Sequence, residues 1–125
     1  MWVRYNPNPT GRSVGDCAVR ALSKALKIDW EDAYEAIASA GFAMGDMPSS
    51  DSVWGSVLRR EGFYKKSMPD ILPDIYTVRD FCRDHPRGTY VLGTGGHAVT
   101  VKDGDYFDSW DSGDECPVYI WYRKD

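Results

Sequence analysis

Glutamine is absent from this 125-residue chain, and histidine and cysteine are scarce, at two and three residues. Without glutamine, no side-chain amide of that type can serve any site. Two histidines and three cysteines at these spacings match no zinc pattern, and an odd cysteine count does not make a closed disulfide framework. A reducing cytosol with all three thiols free is the expectation. Long apolar runs are also missing: no segment approaches the ~20 residues needed to span a bilayer. Met1 to Pro9 holds no apolar stretch of the signal-peptide kind, so a cytoplasmic protein with no membrane partner is expected. An excess of basic charge is lacking too. The net charge of −4 and the acidic pI exclude a dedicated nucleic-acid binder. The compact basic runs, Arg59-Arg60 and Lys65-Lys66, read as solvated faces.

What is present describes an ordered globule. Hydrophobic residues make up 42% and aromatic residues 14%, well above the composition of a disordered segment. Residues 1–125 are expected to form one domain, large enough to bury roughly two-thirds of its unfolded surface. No repeat or linker interrupts it.

Local signals divide the chain into a helical part followed by a strand part. Residues 1 to about 15, rich in Asn, Pro, Gly and Ser, read as an ordered loop or short edge strand. Asp16 stands where a cap would open a helix to about Leu26, with Ala18, Ala21, Leu22 and Ala25 on one stripe. Asp29 and Asp32 resemble a capping box before a second helix that Gly41 is expected to stop. Gly45 to Ser52 reads as a loop, and a third helix with Val53, Trp54, Val57 and Leu58 inward ends at Gly62. Residues 63 to 76 read as a short strand and a loop. Thr77 and Asp80 cap a short helix ending before Pro86. Beyond Gly88 the period becomes two: Thr89–Leu92, His97–Lys102, Asp105–Asp108 and Val118–Tyr122 read as strands, with Asp103-Gly104 a two-residue hairpin turn. Helices first and antiparallel strands afterwards predict an α+β fold.

Chemistry-bearing residues stand at the ends of these elements. Cys17 opens the first helix, His97 opens a strand, and Asp108 lies on the return strand of the hairpin that follows. A thiol of ordinary pKa ~8.5 is mostly protonated at neutral pH, and only the thiolate attacks carbonyl carbon well. A helix N-terminus favours the anion through free N–H groups and the dipole. An imidazole can take the thiol proton and pass it to the leaving group, while a carboxylate on its other nitrogen fixes the tautomer. Cys17, His97 and Asp108 suit these three roles. Asp16, next to the thiol, acts against them, since a neighbouring carboxylate raises a thiol pKa. Asp111 competes with Asp108, which is preferred because it can face His97 across the hairpin. Trp110 either shields the Asp–His bond or simply packs. Gly95 and Gly96 leave room for a ligand beside His97. Cys82 and Cys116 read as structural, and the i, i+3 pair Cys82 and His85 does not make a metal site.

Gly15-Asp16-Cys17-Ala18-Val19-Arg20-Ala21-Leu22, His97-Ala98-Val99-Thr100-Val101-Lys102-Asp103-Gly104 and Asp108-Ser109-Trp110-Asp111 together resemble the papain-like cysteine peptidase superfamily. Within it they are most similar to small members common in bacteriophage and prophage genomes. The resemblance runs from Asp16 to about Trp121. It implies a helical half carrying the nucleophile Cys17, and an antiparallel half carrying the base His97 and its orienting residue Asp108. The family usually places a Gln about six residues before the Cys to complete the oxyanion hole; here Gly11 stands at that spacing. Asn6 or Asn8 would supply the amide, with Arg12 or Ser13 as further donors beside the Cys17 backbone N–H. Losing one such donor typically costs ~2.7–4 kcal/mol of transition-state stabilisation.

The expected function is hydrolysis of a peptide or isopeptide bond through a Cys17 thioester. The partner would be a peptide or protein substrate, with no cofactor, no metal and no nucleic acid; a phage-encoded enzyme would work in the host cytoplasm. Loops 43–52 and 63–76 are the expected cleft walls. The alternative is a non-catalytic papain-like module that binds a host factor or serves in assembly. Oligomeric state is open.

Overall fold

The computed structural model describes residues 1–68 and 76–123. Its elements run β1 (Trp2–Arg4), α1 (Cys17–Leu26), α2 (Trp30–Met44), α3 (Asp51–Arg60), β2 (Phe63–Ser67), α4 (Val78–Asp84), β3 (Thr89–Gly93), β4 (Ala98–Lys102), β5 (Asp105–Asp108) and β6 (Tyr119–Arg123). Four helices and a six-stranded mixed sheet make an α+β architecture, with strand order β1-β5-β4-β3-β6-β2. None of the described helices is long and apolar enough to cross a membrane.

The sheet carries a core on each face, as the period of two requires. Val91, Ala98 and Trp121 pack with Leu22, Ile37, Val53 and Leu58 of α1–α3. Their strand neighbours Leu92, Val99 and Ile120 turn to the other side, against Val78 and Phe81 of α4. Alanines on the inner stripe of α1 let it lie close to the sheet, where the Thr100 hydroxyl donates to the Ala21 carbonyl at 2.6 Å. That contact sets the helix carrying Cys17 directly against the strand that follows His97.

Several local expectations hold in detail. Asp29 accepts from the Asp32 N–H, and Thr77 and Asp80 form a reciprocal capping box. Asp103 (φ 51) and Gly104 (φ 83) form the hairpin turn between β4 and β5, the left-handed pair that matches strand twist.

Others do not hold. Asp16 occupies the N-cap position of α1 but makes no side-chain cap bond, because its carboxylate is drawn into the interior by Arg20 and Trp30. Gly41 does not stop α2, which continues to Met44 and is closed by left-handed Gly45. Gly41 is small for a different reason: a methyl there would stand 2.9 Å from the Asp46 carbonyl oxygen, where the following loop folds back. The sheet is not wholly antiparallel, since β1 pairs parallel with β5. The intervening helices supply the long crossover that parallel pairing needs. His97 lies just before β4 rather than within it. The loop expected up to residue 76 falls largely on 69–75, outside the described residues.

Candidate active site

Cys17 is the first residue of α1, His97 stands at the foot of β4, and Asp108 ends β5. Antiparallel pairing of β4 with β5 brings the latter two together. The His97 Nε2 stands 2.5 Å from Asp108 Oδ2, which leaves Nδ1 for the thiol. The Cys17 thiol interacts with the His97 ring and with the Ala98 backbone N–H.

Asp108 is 1% exposed and receives four donors. Oδ2 takes His97 and the Ser112 hydroxyl at 2.6 Å, while Oδ1 takes the Ser109 N–H at 2.8 Å and Arg20 Nη2 at 3.0 Å. Burial alone would raise its pKa, but the bonds from His97, Ser112 and Ser109 hold it below the usual carboxylate range. Burial would likewise push His97 down; hydrogen bonds to Asp108 and Cys17 outweigh it and raise the imidazole to about 9. At Cys17 burial acts upward, but the His97 bond, the Ala98 N–H and the charges of His97 and Arg20 bring the thiol below its ordinary value. Both shifts act in the same sense, each favouring the charged form of its group, thiolate on Cys17 and imidazolium on His97.

Arg20, Trp30 and Ser112 escaped the sequence reading. Arg20 is 5% exposed and bridges Asp16 and Asp108 with two different guanidinium nitrogens. Asp16 takes the Trp30 indole N–H at 2.8 Å on its other oxygen. Asp16 is thus neutralised by Arg20 rather than left to oppose the thiolate, which reverses the expectation for it. It also leaves the first-turn N–H groups of α1 uncapped. The i, i+4 spacings Asp16–Arg20 and Asp108–Ser112 were the available signals.

Asp111 does not join the site. It accepts from the Tyr106 hydroxyl and from Arg79, at 3.3 Å, which anchors the 109–114 turn to α4. Trp110 does reach the site: its ring centre lies 4.8 Å from that of His97, with nearly half of the residue exposed. Asn6 is excluded as an oxyanion donor because its amide nitrogen is committed to the Gly11 and Arg12 carbonyls. Asn8 lines the cleft, and its Oδ1 receives Thr10 N–H and Oγ1, so its Nδ2 is the available amide donor.

The cleft above Cys17 and His97 encloses about 570 Å³. One wall is aromatic and apolar, from Trp30, Tyr34 and Ile37 of α2, and Asn8 to Val14 close another. Pro48 and Ser49 come from the expected 43–52 loop, but nothing from residues 63–68 lines it. That segment is instead the far edge strand of the sheet. Gly96 borders the cleft, and a methyl on it would meet nothing within 4 Å. Cys82 is buried in the α4 core, and Cys116 is a half-buried free thiol. Among the described residues no group of three or more His, Cys, Asp or Glu side chains is arranged to hold a metal ion. No family model, curated protein or solved structure matches this chain.

Proposed function

We propose that this chain is a papain-like cysteine hydrolase, cleaving a peptide or isopeptide bond through a thioester on Cys17. The observation that carries the reading is the buried relay in which Asp108 holds His97 Nε2 and leaves Nδ1 to the Cys17 thiol. Helix-borne cysteine and sheet-borne histidine and aspartate support the fold assignment. Free thiols at all three cysteines suit a reducing cytoplasm, that of the host cell for a phage-encoded protein.

In this mechanism the Cys17 Sγ anion attacks the acyl carbon and the carbonyl π electrons move to oxygen. The oxyanion is received by the Cys17 backbone N–H and Asn8 Nδ2. His97 Nδ1–H protonates the leaving nitrogen as the C–N bond breaks, leaving a thioester and neutral imidazole. His97 then takes a proton from water, the hydroxide adds to the thioester, and Sγ departs as thiolate. Arg20 and Ser112 keep Asp108 ionised and oriented throughout.

A second reading, a non-catalytic binding module of the same fold, is favoured by the commitment of Asn6 to loop carbonyls, which leaves one side-chain amide at the cleft. Site-resolved iodoacetamide labelling from pH 5 to 9, with His97→Ala alongside, separates the two. A hydrolase gives fast Cys17 labelling with an apparent pKa well below ~8.5, lost in the variant. Labelling that rises only above that pKa and ignores the substitution would leave the binding module.

A further inference from the structure

We propose that the cleft receives an acidic polypeptide, held along a cationic track that leaves it past Asp51 and Tyr119 and runs over Lys65 and Arg59. The proposal names the substrate class for the hydrolase reading and rests on that reading for the scissile bond.

The track is a continuous series of contacts. Asp51 lines the cleft with Cys17 and His97, and its Oδ2 accepts the Tyr119 hydroxyl at 2.9 Å. Lys65 Nζ stands 4.4 Å from the centre of the Tyr119 ring and 6.0 Å from that of Trp121. The Arg59 guanidinium lies 5.3 Å from the Trp121 ring. A shallow groove between Arg59, Phe63, Lys65 and Tyr122 continues beyond. Arg60 and Arg123 extend from the same helix end and the same pair of strands, while Lys66, paired with Ile120, belongs to the opposite face of the sheet.

Arg59, Arg60, Lys65 and Arg123 are all exposed, and none has a carboxylate partner among the described residues. The ion pairs of the sheet's other end and of α4 use Arg20, Arg79 and Arg83 instead. On a chain of net charge −4, this edge is a local reversal of sign. A solvated face accounts for charge alone, and lysines on an edge strand also discourage edge-to-edge pairing. Neither accounts for Arg59 on α3, nor for cations seated on aromatic faces in a line that ends at the thiol. Ring contacts hold the cationic heads in place while leaving their N–H groups open to an anion.

Polypeptide fits better than nucleic acid for two reasons. The thiol at the end of the track attacks acyl carbon, and Trp121 is 3% exposed beneath its cations, so it offers no open face for base stacking. Asp51 sits at the cleft end and repels a carboxylate there. The acidic residues therefore belong beyond Tyr119, a few positions from the scissile bond at ~3.3 Å per extended residue.

The test uses the 125-residue chain carrying Cys17→Ala and fluorescent blocked decapeptides with four glutamates at one end, at the other end, or replaced by glutamines. Anisotropy at low salt is expected to show one acidic peptide binding about tenfold tighter than the glutamine peptide, with the difference fading at high salt. Arg59→Glu/Lys65→Glu removes that preference, whereas the equal charge change Arg87→Glu/Lys102→Glu keeps it. The same peptide slows iodoacetamide labelling of Cys17 in the native chain. Equal binding of all three peptides, or a preference that survives the Arg59/Lys65 reversal, overturns the track. So does a single-stranded oligonucleotide that binds more tightly and displaces the peptide. Charge-dependent binding and protection around an unactivated thiol would sustain the track and remove the hydrolase reading; an activated thiol without charge preference would do the opposite.

Discussion

The two histidines of this chain each have a cysteine close by, and the two pairs are chemically opposite. Cys82 lies within α4, and burial pushes its thiol up to about 11. His85, one turn on, directs Nδ1 to the Phe81 carbonyl at 2.9 Å and stacks on the Phe81 ring at 3.8 Å. Cys17 and His97 are far apart in sequence, yet the sheet brings them together with Asp108 behind the imidazole. Cys17 is also desolvated; what separates it from Cys82 is an imidazolium and an N–H facing the sulfur. Adjacency on one helix does not activate a thiol here, whereas a helix start, an imidazole from another element and a fully bonded carboxylate do.

The largest expected contrast is in reactivity. At pH 6 iodoacetamide should label Cys17 at least ~10³ times faster than Cys82, whose buried thiol is almost wholly protonated there. Mass spectrometry of the labelled peptides measures it, and equal rates would erase the distinction between the pairs. Arg20→Met should come next. Removing the cation strands two buried carboxylates and should destabilise the fold by about 3–5 kcal/mol, read from urea unfolding. Arg20→Lys should recover part of that and part of the fast labelling. Cys82→Ala, on the other side of the comparison, should cost about 1 kcal/mol and leave Cys17 labelling unchanged.

Asp108→Asn sharpens the comparison at the imidazoles. The His97 ring should titrate well below about 9, towards the ordinary ~6.5, and Cys17 labelling at pH 6 should slow by roughly ten- to a hundredfold. Backbone amide resonances of α4, on the opposite face of the sheet, serve as the internal reference and should be the same in variant and native protein. If they differ, the substitution has perturbed the fold rather than the relay.

The smallest effect is in stability against pH. His97, raised in the folded state, stabilises fully below its unfolded value of ~6.5, and that contribution is lost as pH rises through about 9. Cys17, lowered in the folded state, stabilises above its ordinary value and loses that contribution as pH falls through its folded value. As pH rises the His97 contribution falls while the Cys17 contribution grows, so in the native protein the two offset one another where they overlap. Cys17→Ala leaves His97 alone with Asp108, and its melting temperature should fall as pH is raised from neutrality. A flat profile in that variant would mean that Asp108 alone does not raise His97.

Much of this architecture was legible because its causes are local. Asp29 with Asp32 and Thr77 with Asp80 announce helix starts through bonds spanning three residues. Asp103-Gly104 announces the hairpin through its own backbone geometry. Cys17, His97 and Asp108 could be nominated because each stands at the end of an element that such cues delimit. Gly41 misled for the same reason: a glycine can stop a helix locally or admit a distant loop, and its sequence neighbours do not distinguish the two.

The sequence by itself determined most of the described elements, their order and the alternating strand faces, and it nominated Cys17, His97 and Asp108. These follow from hydrogen bonding and periodicity over a few positions. Only the tertiary structure decided that Arg20 would meet Asp108, 88 residues away, that Asp16 would be neutralised rather than opposed to the thiolate, and that Asn8 rather than Asn6 would face the cleft. Ionisation depends on desolvation and on charges a few ångströms away, and those charges are set by packing between elements far apart in the chain.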